Sequence, residues 1–503
     1  MASISIVTRL WSRAAGRKAT QPAWLRRNVR IVPPNLRQLS QWPLTRFPRF
    51  VRESPVALRY VRLLGPLDWG RFPERTLDSY RYCPPVPYAP FVAACLVKLE
   101  AELKHMTDLC DYLCDHPALV WVLGFPRIPA RRFPWGFDVE ASLPTARHFT
   151  QMLRTLPNPV LQWLLDDTVR LLQVTLHEVA PDFGQAISLD TKHILAWVAE
   201  NNPKAYVTDR YAKHKQPTGD PDCRLGCKRK RNQRTTGEPD PTIDTAPATP
   251  LHNPLPASGR QVGEYVWGYA SGVIATKVPD WGEFVLAELT QPFDQSDVSY
   301  FFPLLVETER RLGFRPRFGA FDAAFDAFYV YAHFHRAGQT DWRQAFAAVP
   351  HVARGPQLQF DPHGLPLCKA GLPMPLKGTF NNKTSLVPHE RGRYACPLRY
   401  PELRAEACPV ADKHWDKGGC ITTLPTSIGA RLRHQIDHNS DHYKTIYKQR
   451  TATERINSQA KALGIERPKL RNQQAIANQN TLIYVLINLR ALHRVRDKHN
   501  KRS

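Results

Sequence analysis

No stretch of this chain approaches the length and apolarity of a membrane-spanning helix. Acidic residues are missing from the start: none occurs before Glu53. The N-terminus also lacks the apolar core of a secretory signal, so the ten cysteines are expected as thiols rather than as a disulfide framework. Tight cysteine pairs are scarce too. Cys368, Cys396, Cys408 and Cys420 stand far apart, with His414 nearby, and this spacing lacks the two-to-four-residue pairs of strong zinc motifs. Ordinary buried thiols are expected there ahead of a structural Zn2+ site.

What the chain has in excess is positive charge. Lys and Arg number 69 against 45 Asp and Glu, a formal net charge of +24 over 503 residues. An enzyme of small metabolites needs no such excess, whereas a polyanion such as nucleic acid attracts it; a merely solvated cationic surface is the plain alternative. The length calls for two to four domains.

Residues 1–53 read as a basic flexible arm, with Arg9, Arg13, Arg17 and Lys18 among Ser and Ala giving a transit-peptide-like composition. Residues 54–182 read as a helical domain. "LVKLEAELKHMTDLCDYL" sets Leu96, Leu99, Leu103, Met106, Cys110 and Leu113 at steps of three and four, which predicts one amphipathic helix. Asn158 and Pro159 open another, with Leu161, Leu164, Leu165, Val169, Leu172 and Leu176 inward.

Strand character begins at "AISLDTKHI" (186–194) and returns at 264–276, 284–293 and 314–325, with a helix expected over 297–313 and another after Asp326, its N-cap. Strands followed by strands with intervening helices predict a mixed sheet covered by helices over 183–350. Residues 215–261, rich in Pro, Thr and charge, interrupt it as a loop. Within that loop Lys228, Arg229, Lys230 and Arg231 are candidate DNA-backbone contacts. Residues 351–440 read as an inserted subdomain, and 441–503 as two helices completing the core. Trp281, Trp342 and Trp415 are candidate stacking platforms or plain core.

"YKQRTATERINSQAK" has almost no large apolar side chain, yet on a helix it aligns Tyr447, Arg450, Glu454 and Lys461. Arg450 and Glu454 can simply form a surface ion pair, but that leaves Tyr447 and Lys461 unexplained. Asp190 and Asp322 each sit inside or at the end of an apolar run, where a bare carboxylate is costly unless a cation neutralises it. Mg2+ or Mn2+ prefers such oxygen ligands.

On these residues the chain resembles the DDE transposases of bacterial insertion sequences, in the branch marked Tyr-x2-Arg-x3-Glu-x6-Lys. Tyr447, Arg450, Glu454 and Lys461 fit that signature at every spacing, and Asp190 and Asp322 match the two Asp motifs in kind and order. Ala324 and Phe325 depart from the Asp-x-Gly-Tyr common in the second motif. The likeness spans about residues 80–490.

The resemblance implies an α/β RNase H-like core, a mixed five-stranded sheet with helices on both faces. Asp190 would lie on its first strand, Asp322 after its fourth, and Glu454 on a helix beyond the insertion. It implies Asp190, Asp322 and Glu454 as catalytic ligands of two Mg2+ or Mn2+ ions, and Tyr447, Arg450 and Lys461 as DNA contacts. It further implies cleavage at terminal inverted repeats, joining of the freed 3′-hydroxyls to target DNA, a homodimer in the synaptic complex, and a bacterial cytoplasmic, nucleoid-associated location. Two other readings of the same residues are a hydrolysis-only nuclease and a catalytically silent DNA-binding protein.

Overall fold

The computed structural model describes residues 36, 42–75, 86–229, 263–350 and 358–501. Two compact units meet in sequence between Leu164 and Leu165. That point lies inside one helix, Asn158–Leu176, and the boundary expected at 182/183 lies beyond its C-terminal end.

The first unit is helical: α1 (Pro55–Leu64), α2 (Tyr88–Glu100), α3 (Met106–Asp115), α4 (Pro117–Leu123), α5 (Ala146–Thr155) and the start of α6 (Asn158–Leu176). Ser54 caps α1 by accepting from the Ala57 N–H, with Pro55 at the first helical position. The single helix expected over 96–113 is two. Glu102 takes a left-handed φ of 55°, and Asp108 accepts from the His105 N–H to start α3 anew. The apolar steps are continuous, but α2 is buried on nearly every side from Pro90 to Leu99 rather than along one stripe.

The basic arm also has a different end. Most of 1–53 lies outside the described residues, but Phe47 and Val51 are buried, and Phe47 lies 5.9 Å from the Trp121 ring. Aromatic and aliphatic side chains among the arginines supply the packing that a count of charges conceals.

The second unit holds a six-stranded mixed sheet: β1 (Ala186–Leu195), β2 (Arg224–Arg229), β3 (Gly263–Val278), β4 (Gly282–Pro292), β5 (Phe318–Ala320) and β6 (Phe346–Ala348). The order is β2-β3-β1-β5-β6, with β4 also paired to β3. β3 is antiparallel to β1, β2 and β4, whereas β5 and β6 run parallel to β1.

Five strands were expected, and the sixth is β2, at the front of the segment read as a loop. β3 runs on beyond the end of its pairing with β1, and its first six residues, Gly263–Gly268, pair with β2. Buried Cys223 and Asp220 anchor the approach.

Helices cover both faces of this sheet. Successive strand residues point to opposite sides. Ser271 meets the hydroxyl of Tyr484 at 3.1 Å, on α12 (Gln473–Asn500). The next residue, Gly272, leaves room for the Tyr300 ring, which leads into α7 (Phe301–Leu312); a Cβ there would come within 2.4 Å of that ring. On α12, Asn488 pairs with both the N–H and C=O of Val285 beside the point where the β3–β4 register shifts.

The insertion contains β7 (Leu376–Asn382), β8 (His389–Ala395) and β9 (Ile421–Pro425), an antiparallel sheet of order β9-β8-β7. Its last segment, α9 (Ile428–Gln435), packs onto the core through Leu432. It lies against α8 (Phe328–Phe334) so closely that a Cβ at Gly429 would sit 1.9 Å from the Phe328 carbonyl oxygen. Asp326 is not the N-cap of α8; Ala327 is. Asp326 instead binds Arg433 of α9 through both oxygens, at 2.7 and 2.5 Å, and accepts from the Tyr331 hydroxyl. Among the described residues no helix is long and apolar enough to cross a membrane.

Candidate active site

Asp190 lies in the middle of β1, directly opposite Val273 of β3. Ile187 and Leu189 are buried on this strand, so the backbone that carries Asp190 is fixed by core packing and by strands on both sides. Its Oδ1 accepts from the Thr191 N–H at 2.9 Å, and its Oδ2 accepts from Nδ2 of Asn457 at 3.0 Å. Burial pushes its carboxyl up to about 6; the negative charges of Asp322 and Asp297 add to the rise, while the Thr191 N–H and the Arg450 charge oppose it.

Asp322 follows β5, the parallel neighbour of β1, and starts a 3-10 turn by accepting from the Ala324 N–H at 2.9 Å. Burial raises its carboxyl as well, with Asp297 adding and the Ala324 N–H and Arg450 opposing. Asp190 and Asp322, far apart in sequence, are therefore brought within electrostatic reach of each other.

The stripe around Glu454 is broken in the middle. α10 (Asp441–Tyr447) ends, Lys448–Arg450 form a 3-10 turn, and α11 (Thr451–Ala462) begins. The helix expected from 443 to 463 is thus two helices and a tighter turn, since 3-10 winding commonly links helix ends. Tyr447 stacks on Tyr443 at 5.9 Å, and the Arg450 guanidinium lies 6.0 Å from the Tyr447 ring centre. Arg450 forms an ion pair with Glu454 at 2.5 Å. Lys461 reaches Glu466 at 3.6 Å, and Glu466 also holds Lys192 at 2.5 Å.

A cavity of about 560 Å3 joins these elements; Asp190, Glu454, Asn457, Ser458 and Lys461 are among its lining residues. Asp322 does not line it. Lys228 and Arg229 fall at the end of β2, and Lys230 and Arg231 lie outside the described residues.

Two members of this site escaped the sequence reading. Asp297, at the start of the turn that leads into α7, accepts from the Thr191 hydroxyl at 2.7 Å and adds a third negative charge beside Asp190 and Asp322. Asn457 stands three positions after Glu454, one helical turn away, and that spacing was the available signal.

The donors suit a hard divalent cation: carboxylate oxygens of Asp190 and Asp322, raised toward protonation by burial in the absence of a cation, and the buried Oδ1 of Asn457, which has no hydrogen-bond partner. Glu454 is engaged by Arg450 here, and among the described residues no three His, Cys, Asp or Glu side chains converge as a ready metal cluster. In the insertion, Cys420 and Cys396 are free thiols close enough for Cys396 to raise the Cys420 thiol. No protein-family model matches this chain, and a search of curated proteins returns no significant match.

Proposed function

We propose that the protein is a DNA transposase of the DDE type, which cuts phosphodiester bonds at transposon ends and joins the freed 3′-hydroxyls to target DNA. The observation that supports this reading is that Arg450, ion-paired with Glu454, also lies within electrostatic reach of both Asp190 and Asp322. The order β4-β3-β1-β5-β6, with β3 alone antiparallel to its partner β1 in the central run and β5 and β6 parallel to it, supports reading the core as RNase H-like.

Asp190, Asp322 and Glu454 would hold two Mg2+ or Mn2+ ions, which when bound activate an attacking oxygen and stabilise the departing one. The chain's own groups do the rest. Asn457 fixes the Asp190 carboxylate in one rotamer, and the β1 backbone fixes its place. Arg450 and Lys461 give the scissile phosphate a guanidinium and an ammonium to bind. Water attacks phosphorus and the 3′-oxygen leaves with a proton; the resulting 3′-hydroxyl then attacks a target phosphodiester and releases a new 3′-oxygen.

The deciding experiment incubates the purified protein with Mg2+ and a plasmid carrying the DNA that flanks its gene. Nicking at the ends followed by joined strand-transfer product is expected. Nicking without joining would favour a hydrolysis-only nuclease, and binding without nicking would favour a catalytically silent DNA-binding protein.

A further inference from the structure

A second cavity, about 660 Å3, adjoins the first and shares Leu195, Glu264, Val266 and Arg467 with it. β1 connects them: Asp190 faces the first cavity, and Leu195 at the strand's end lines both, about 17 Å along at ~3.3 Å per residue. Beyond β1 the chain turns at Ala196, whose N–H bonds the Trp267 carbonyl, and presents Trp197. Trp197 is 52% exposed, a large apolar side chain left partly in water. The Arg471 guanidinium lies 5.0 Å from its ring centre. Arg467 and Lys469 line the same wall, and the Leu195 N–H to Glu466 carbonyl bond ties that wall to β1.

Arg210 supplies an independent sign of a missing ligand. It is 6% exposed and lines this cavity. Two of its nitrogens bond the carbonyls of Asn202 and Ala205 at 3.0 and 2.6 Å, while its buried Nε–H has no partner. An unsatisfied buried donor on a residue of the same cavity that an exposed indole and three cations line suits a base with acceptor atoms carried on a phosphate chain.

We infer that this cavity binds single-stranded DNA: an unpaired nucleotide stacks on Trp197, its phosphates lie on Arg467, Lys469 and Arg471, and a base acceptor takes the Arg210 Nε–H. The inference rests on the proposed function, in that the strand continues from the phosphate held in the carboxylate cavity. Glu264 at the junction is the one acid among the lining residues of this cavity, and the strand would pass it toward the basic wall.

The test measures binding of the full-length protein to a fluorescent oligothymidylate of about eight nucleotides and to a blunt duplex, by anisotropy. Trp197→Ala should weaken oligothymidylate binding about tenfold and duplex binding less than about twofold, because stacking needs an open base. Trp197→Phe should restore most of the loss, and Arg471→Ala should reduce the salt slope by about one phosphate contact. Equal oligothymidylate affinity in wild type and Trp197→Ala, or equal losses on both DNAs, would overturn the site. Asp190→Asn separates this inference from the function it rests on. A protein that nicks DNA but binds oligothymidylate without Trp197 keeps the function and loses the site. A protein that needs Trp197 for oligothymidylate, and is unaffected by Asp190→Asn because neither form cuts, keeps the site and loses the function.

Discussion

Asn457 donates its Nδ2–H to Oδ2 of Asp190 at 3.0 Å, a bond that spans 267 positions of sequence. It ties α11, which carries Glu454, to β1, which carries Asp190, so two acids on separate elements are held by a neutral residue between them. Asn457→Ala removes that tie while leaving every carboxylate in place. Cleavage should fall about 10–100-fold, the usual cost of losing a group that orients a ligand, with DNA affinity unchanged. Gel-shift and nicking assays on one duplex check the split; an equal loss in both would mean that Asn457 contacts DNA itself.

Glu454 and Arg450 share an ion pair, yet their variants should part company. Glu454→Gln keeps shape and helix propensity, so DNA binding should persist while cleavage falls by several orders of magnitude, roughly the scale of losing a metal-held nucleophile. Arg450→Ala should weaken binding and cleavage together, because it loses a phosphate contact. If the pair were only a surface bridge, Glu454→Gln would cost about 0.3–0.5 kcal/mol of stability and leave nicking at the wild-type rate.

The Asp190 carboxyl, raised by burial to about 6 from an ordinary 3.8, gives a signed dependence on pH. A folded value above the unfolded one means that the folded state binds the proton more tightly. Its stabilising share is complete below the unfolded value and is lost as pH rises through about 6. Asp190→Asn has no such loss. In chelator its melting temperature should match wild type most closely near pH 4 and exceed it near pH 8, by about 1–2 kcal/mol of stability after allowance for partial solvation. Mg2+ should then raise the wild type and not the variant. A gap that stayed constant from acid to base would show that the carboxyl is not held in the protonated form.

Asp326 and Asp322 lie four residues apart and should behave oppositely. Asp326 is sealed by Arg433 and Tyr331, so Asp326→Ala strands a guanidinium against the core. It should destabilise the fold by about 2 kcal/mol, since part of Arg433 still reaches water. Asp322→Asn should leave stability near wild type and abolish nicking. Thermal unfolding and nicking of both variants, measured side by side, decide; loss of nicking at full stability in Asp326→Ala would move the second catalytic position.

Cys420 is pushed up to about 12, first by burial and then by the adjacent Cys396 and by Cys368. A thiol so disfavoured as thiolate reacts slowly. Thiol titration near pH 8 should find Cys420 protected until the protein unfolds, and metal analysis should find less than about one equivalent of Zn2+. Stoichiometric zinc, released by Cys396→Ser, would reverse that expectation.

Elements whose cause is local are legible in the order of residues. Apolar runs at 186–194 and 264–276 became β1 and β3, and all six leucine and valine positions named on α6 are fully buried. The periodicity of side chains is a property of adjacent residues, so it can be read without a fold. The spacing of Tyr447, Arg450, Glu454 and Lys461 was legible for the same reason.

Which groups meet depends on contacts between distant parts of the chain. The breaks at Glu102 and at Lys448–Arg450 lie inside segments read as single helices; a left-handed φ and a fresh capping bond mark the first, and a 3-10 turn marks the second. β2 formed where composition suggested a loop, because β3 needed a partner for Gly263–Gly268. Asp326 left its cap for Arg433 because α9 returns to the core from 107 residues away. Asp297 and Asn457 joined the site through the Thr191 hydroxyl and the Asp190 carboxylate. Apart from the two helix breaks, each of these is a long-range pairing of polar groups, and such pairing leaves no period in the chain because its cause is burial beside a partner that the sequence places elsewhere.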